Sequence, residues 1–200
     1  GPMAIQPFFR SDLPYRVADF APICLLGDAP VMMMAAPISG LRTVQDVVER
    51  ARQTGGGFNY GSAGPGSLPH IVMAALAQTA SVPMTHIPFR GSSEAIIALL
   101  RNDISIYADL PGPLRANNLI GVGVMAESRT AEFPGTPTLR EQGFDLVYSI
   151  WAGLYAPAGT PQAFLARAEA ACEKALRVPA VVEGFARLST PITFRGQRDF

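Results

Sequence analysis

Short apolar runs bounded by glycine and proline alternate along the chain with stretches whose apolar residues recur every three to four positions. That is the pattern of strands interleaved with amphipathic helices. Cys24-Leu25-Leu26-Gly27 and Val31-Met32-Met33-Met34-Ala35 read as buried strand. A helix is predicted from Thr43, whose hydroxyl caps while Asp46 sits in the first turn, with Val44, Val47, Val48 and Ala51 on one face and Gly55-Gly56-Gly57 as its end. Phe58-Asn59-Tyr60 is a strand, Gly61 to Ser67 a loop, and Pro69 opens a helix through Ile71, Met73, Ala74, Leu76 and Ala77. Val82 to Ile87 is the next strand. After Phe89-Arg90-Gly91 a helix capped by Ser92 or Ser93 presents Ile96, Ile97, Leu99 and Leu100 as its apolar face.

Ile104 to Ala108 is strand, ending at Asp109, and Ile120 to Ala126 is another. An aromatic-rich strand from Val147 to Tyr155 leads into the longest helix, with Phe164, Leu165, Ala168, Ala171, Cys172 and Leu176 at helical spacing, and a second helix covers about 179 to 188. Strands alternating with helices predict an α/β fold, its sheet parallel or mixed and covered on both faces. The boundaries fall so that 30–146 forms one compact α/β domain while 1–29 and 147–200 form parts of another.

Composition narrows the class. Of 200 residues, 48% are hydrophobic, enough for a sizeable core, and 16 basic against 16 acidic side chains leave no net charge. That removes the broad electrostatic footprint of a nucleic-acid or acidic-membrane binder. The apolar stretch Ala29 to Ile38 is interrupted by Pro30 and Pro37 and is far shorter than the roughly 20 residues of a membrane span, so no membrane insertion is expected. Gly1-Pro2-Met3 shows neither a basic nor an apolar leader region, which leaves the compartment open. Cys24 and Cys172, one in a strand and one in a helix, are expected to remain buried, unpaired thiols.

The chemistry concentrates at strand ends. In Gly61-Ser62-Ala63-Gly64-Pro65-Gly66-Ser67-Leu68-Pro69-His70 the glycines let backbone amides turn toward one point, and the helix N-terminus that follows adds positive dipole. A carboxylate or phosphate fits there, although such a loop also serves as a plain tight turn. It is neither a P-loop nor a dinucleotide fingerprint, since no Gly-Lys-Ser/Thr follows and the glycine spacing differs. Phe89, Arg90, Gly91 and Ser92 follow the next strand, and Asp109 ends the third. In a parallel sheet all three open on one edge, where α/β sheets bind ligands. Arg90 also reads as a solvated loop charge, His86 as a structural histidine, and Asp109 as a helix cap before Pro111. Trp151, with Tyr148 and Tyr155, walls an apolar ligand body or belongs to the core. Two histidines away from metal-ligand spacing, and no Gly-x-Ser-x-Gly elbow, leave no acid and base pair, metal centre or cofactor site.

Taken together, Leu13-Pro14-Tyr15, Asp19-Phe20-Ala21-Pro22, Phe58 to His70, Met84-Thr85-His86-Ile87-Pro88-Phe89-Arg90-Gly91, Phe133 to Leu139 and Ala156 to Pro161 resemble the Bug family. Its members are extracytoplasmic solute receptors of tripartite tricarboxylate transporters. The resemblance implies a type II periplasmic binding fold, two α/β lobes closing over a small organic carboxylate, with membrane transporter subunits as partners and no enzymatic activity. It assigns ligand contacts to Gly61, Ser62, Ala63, Gly64, Gly66, Ser67 and His70, to Phe89, Arg90, Gly91 and Ser92, and to Asp109, and the residues themselves add Trp151 as an apolar wall. The family's usual Tyr-Lys-Gly is Phe89-Arg90-Gly91 here, and its usual Asp-Asn is Asp109-Leu110. The match starts partway through the first lobe, which is therefore expected to be incomplete. Two other readings share the same loop: a small hydrolase or transferase using it as an anion cradle, and a ligand-binding module that signals through a partner.

Overall fold

The computed structural model describes residues 2–200, which divide into two compact units. One is built from the residues up to Ala29 together with Ile150–Phe200, the other from Pro30–Ser149.

The 30–149 unit is organised around β2 (Met32–Ala35), whose residues are completely buried because both faces of the sheet are covered. β2 pairs antiparallel with β5 (Tyr107–Asp109), Met32 opposite Asp109 and Met34 opposite Tyr107, and antiparallel with β6 (Ile120–Val124). β3 (Asn59–Ser62) and β4 (Thr85–Pro88) run parallel, Tyr60 opposite His86 and Ser62 opposite Pro88. A parallel bridge between Tyr60 and Ile106 links β3 to the approach to β5. The three-stranded sheet β5-β2-β6 and the two-stranded sheet β3-β4 are joined through that bridge, and of these five strands only β2 runs against the others.

Local chemistry sets the helices. α2 (Val44–Thr54) starts at a reciprocal cap: the Thr43 hydroxyl accepts from the Asp46 amide, while the Asp46 carboxylate accepts from the Thr43 and Arg42 amides and is held below its ordinary pKa by them. Gly55 ends it in the left-handed region at φ 56°. Gln142 then ties the α2 start to β6, accepting from the Val44 amide at 2.7 Å and donating to the Val122 carbonyl at 3.1 Å.

α3 (Leu68–Thr79) buries Pro69, Val72, Met73 and Leu76, so Val72 replaces the exposed Ala74 of the predicted stripe. α4 (Ser92–Leu100) departs further. Its inner face is Ala95, Ala98 and Leu99 in the cluster with Met32, Met34, Ile104 and Tyr107, while Ile97 and Leu100 are exposed. Small residues bring this helix close to the sheet, and an unbroken apolar run from Ala95 to Leu100 gave no sign of which side would turn inward. Gly91, not Ser92 or Ser93, is its N-cap, and no side chain caps it. A short helix, α5 (Gly112–Ala116), precedes β6.

The second unit carries α1 (Pro2–Phe9) and a three-stranded sheet ordered β7-β1-β8, from β1 (Phe20–Pro30), β7 (Ser149–Pro157) and β8 (Ile192–Gly196), with α6 (Gln162–Ala175) and α7 (Pro179–Arg187). β1 and β8 are antiparallel, with a register irregularity between Leu25 and Gly27. Leu165 and Cys172 form the buried stripe of α6 and, with Leu176 at its C-cap, pack against Ile23, Cys24 and Ala156, leaving Phe164 and Ala171 of the expected face exposed.

Cys24 and Cys172 form a disulfide, which overturns the expectation of two free thiols. The inward face of α6 lies over β1, so two residues 148 positions apart come within a Cα separation of 6.9 Å in one apolar cluster. Sequence distance carried no information about that adjacency. Among the described residues no cysteine is left free.

Candidate functional site

β3, β4 and β5 point the same way, so their carboxyl ends emerge together at one edge of the 30–149 unit. The Phe89 amide donates to the Ser62 carbonyl at 3.0 Å, and the Gly61 amide to the Ile106 carbonyl at 3.0 Å, fixing the two loops beside each other. Gly61 has no room for a side chain: a Cβ there would run into Ile104, with the rings of Phe89 and Tyr107 close behind.

Beyond Ser62 the chain folds back over this edge. Gly64 at φ 109° and Gly66 at φ 71° occupy backbone space that side chains disfavour. The Gly64 carbonyl accepts from both the amide and the hydroxyl of Ser67, at 3.1 and 2.7 Å. With the Ser67 hydroxyl engaged there, it does not cap α3. The first-turn amides of Leu68 and His70 therefore have no acceptor one turn earlier in the helix and none from the N-cap side chain. The amides of Gly64, Gly66 and Ser67 are spent inside the loop, on Ser62 Oγ, His70 Nδ1 and the Gly64 carbonyl, so the expected convergence of glycine amides is not seen and what the loop presents to an anion is the helix start, with the amides of Leu68 and His70.

Beneath the loop, Ser62 is fully buried. Its Oγ accepts from the Gly64 amide at 3.1 Å and shares a 2.6 Å hydrogen bond with His86 Nε2. His70 takes the Gly66 amide at its Nδ1, 3.1 Å away. A serine sealed from solvent and fixed by its own loop is a support, not a nucleophile.

The second segment places Phe89 half-buried against the core and Arg90 exposed. Gly91 is extended, and the Arg90 amide donates to Glu94 Oε2 at 3.2 Å. Asp109, only 8% exposed, receives Ser92 Oγ at 2.5 Å and the Tyr107 hydroxyl at 2.7 Å on Oδ2, and the Leu110 amide at 2.8 Å on Oδ1. Burial, and then the Asp109 charge, push the Tyr107 phenol far above its ordinary value, so it stays a donor. The Asp109 carboxylate is thus committed to three donors of this chain, tying the end of β5 to the start of α4.

Gly61, Ser62, Ala63, Gly64, Gly66, Ser67, His70, Phe89, Arg90, Gly91, Ser92 and Asp109 all fall at this edge of one unit. Trp151 belongs to the other unit. It lies edge-on to Phe200 at 5.7 Å and lines a cavity of about 170 Å³ with Leu25, Asp28, Arg195 and Asp199. Tyr107 and Tyr60 escaped the sequence reading. Tyr107 sits two residues before Asp109, so the period of a strand already put the two on one face. Among the described residues, no group of three or more His, Cys, Asp or Glu side chains is placed to hold a metal ion, and no helix is long and apolar enough to cross a membrane.

The family model for the tripartite tricarboxylate transporter family receptor matches residues 1–192. A UPF0065 protein from a Pseudomonas species, encoded in a tcbD-tcbE intergenic region, is 31% identical over 93% of this chain and 57% of its own length. The chain thus spans little more than half of that relative. Among solved structures, a TctC solute binding protein from Polaromonas is 27% identical with a TM-score of 0.77, over 97% of this chain and 68% of that one. MatC from Rhodopseudomonas palustris, with bound malate, is 27% identical with a TM-score of 0.81, over 90% and 64%. These are α/β binding proteins, and receptors, not catalysts, define the group. With nearly its whole length matched by that model, this chain belongs to the tripartite tricarboxylate transporter receptor family, of which the Bug proteins are part.

Proposed function

We propose that this chain is the carboxylate-holding part of a periplasmic receptor that delivers a small organic acid to a tripartite tricarboxylate-type transporter. The observation that carries the reading is the loop from Gly61 to Ser67, with two glycines in the left-handed region and the uncapped start of α3 at the carboxyl edge of the sheet. The first-turn amides of α3 at Leu68 and His70 hold one carboxylate there, on a loop kept in shape by its own hydrogen bonds, and Arg90, exposed beside the loop, offers a guanidinium suited to bidentate contact. Phe89 supplies apolar surface to the ligand body, and Leu110 stands where a polar residue is usual in the family. The malate bound by MatC supports the carboxylate class. The Cys24–Cys172 disulfide supports an oxidising compartment such as the periplasm.

The test is a thermal-shift panel of mono-, di- and aromatic carboxylic acids on the full-length mature protein. An acid present at 100 times its dissociation constant stabilises the folded state by about 2.7 kcal/mol, a readily measured shift. A panel in which sugars or amines stabilise the protein and no carboxylate does contradicts the reading.

A further inference from the structure

The chain's two histidines meet behind the loop. His70, in the first turn of α3, and His86, in β4, stack with ring centroids 4.0 Å apart and planes 18° from parallel. Tyr60, opposite His86 across β3 and β4, extends the stack at 5.2 Å. Each imidazole also reaches the loop through a ring nitrogen. Gly66 donates its amide to His70 Nδ1, and His86 Nε2 bonds the Ser62 hydroxyl that receives the Gly64 amide. The two glycines that shape the cradle are therefore oriented by the two histidines.

Resting on the reading that this loop holds a carboxylate, we infer that His70 and His86 are positioning residues which keep the loop receptive only while both rings are neutral, so that capture weakens in acid. An imidazole that accepts at Nδ1 carries its proton on Nε2. Protonating Nδ1 removes the acceptor from Gly66 and sets one N–H against another. Two imidazolium rings in face-to-face contact would also repel each other.

The hydrogen-bond and stacking partners of the two rings carry no compensating charge among the described residues. β3 contributes the Tyr60 phenol, which burial pushes above its ordinary value and so keeps neutral, and the Ser62 hydroxyl. The loop contributes amide donors, and α3 and β4 contribute the two rings themselves. Among the described residues no carboxylate or guanidinium is hydrogen-bonded or ion-paired to either ring. His86 is held below its ordinary value of 6.5, first by burial and then by His70. A histidine depressed in this way favours the ordered loop fully above about pH 6.5, and that preference is lost as pH falls through the lower value of the folded state.

Amide NMR of the full chain, titrated from about pH 8 to about pH 5, reads the loop without any ligand. The Gly66 and Gly64 resonances are both expected to move over the acid part of this range. His70→Gln, which keeps an acceptor but cannot take a proton, is expected to abolish the Gly66 titration. Calorimetry with malate at about pH 7.5 and about pH 5.5 adds the functional arm: wild type should lose about tenfold more affinity than His70→Gln, the acid's own titration being common to both. Loop amides that hold their shifts over the whole range, or a variant that loses malate as steeply as wild type, overturn the inference. Titrating amides in a protein that binds malate at neither pH support the histidine brace and count against the carboxylate reading instead.

Discussion

Ser92 donates its hydroxyl to the Asp109 carboxylate across 2.5 Å, so the residue that opens α4 is tethered to the residue that closes β5. The Tyr107 hydroxyl joins at the same oxygen and also contacts Ser92 Oγ at 2.9 Å, making a closed set of three polar side chains in an otherwise apolar cluster. Replacing Asp109 with Ala leaves a buried phenol and a half-buried hydroxyl with only each other as partners and removes the charge that both donate to. Urea unfolding should show the unit destabilised by about 2–3 kcal/mol. Ser92→Ala, which leaves Tyr107 bonded to Asp109, should lose less than half of that.

Gly64 and Gly66 are the residues whose backbone only glycine adopts easily. Valine at either position should weaken organic-acid binding at least tenfold, or about 1.4 kcal/mol, by calorimetry on the full-length protein. Unchanged affinity in both variants removes the loop from the site.

The Cys24–Cys172 bond closes a loop of 148 residues in sequence. Reduction should lower the stability of the unit formed by β1, α6 and their neighbours by about 2–5 kcal/mol, read as an earlier unfolding transition in reductant. Alkylation of the denatured, unreduced protein followed by mass measurement should find no modified thiol. Two alkylated cysteines would mean that the bond is absent from the purified protein.

Gly61 stands where Ile104, Phe89 and Tyr107 close over the backbone. Alanine there must displace the end of the Ile104 side chain within a close-packed cluster, which costs about 1–3 kcal/mol in thermal unfolding. Because the Gly61 amide also holds the approach to β5, the same variant should weaken ligand binding along with stability.

What could be read from the sequence was what local chemistry determines. Thr43 and Asp46 announced the reciprocal cap of α2, and the glycines before Pro69 announced a loop turned into a helix start. What escaped depended on contacts between distant segments. Nothing near Cys172 says that its helix face will lie over Cys24, and nothing in Ile96-Ile97-Ala98-Leu99-Leu100 says that the small Ala95 and Ala98 will face inward. Asp109 looked like an acceptor open to a ligand because its partners, Ser92 and Tyr107, are joined to it only once β5 meets α4.

The central claim is that the loop from Ala63 to His70 holds the ligand carboxylate at the uncapped start of α3. Its most direct test is the amide spectrum of the full-length protein, recorded with and without whichever organic acid the thermal panel selects. The account predicts that, at saturation, the amides of Ala63, Gly64, Gly66, Ser67, Leu68 and His70 shift most, with Arg90 and Gly91 next. Saturating ligand that leaves those amides in place while moving others would contradict it.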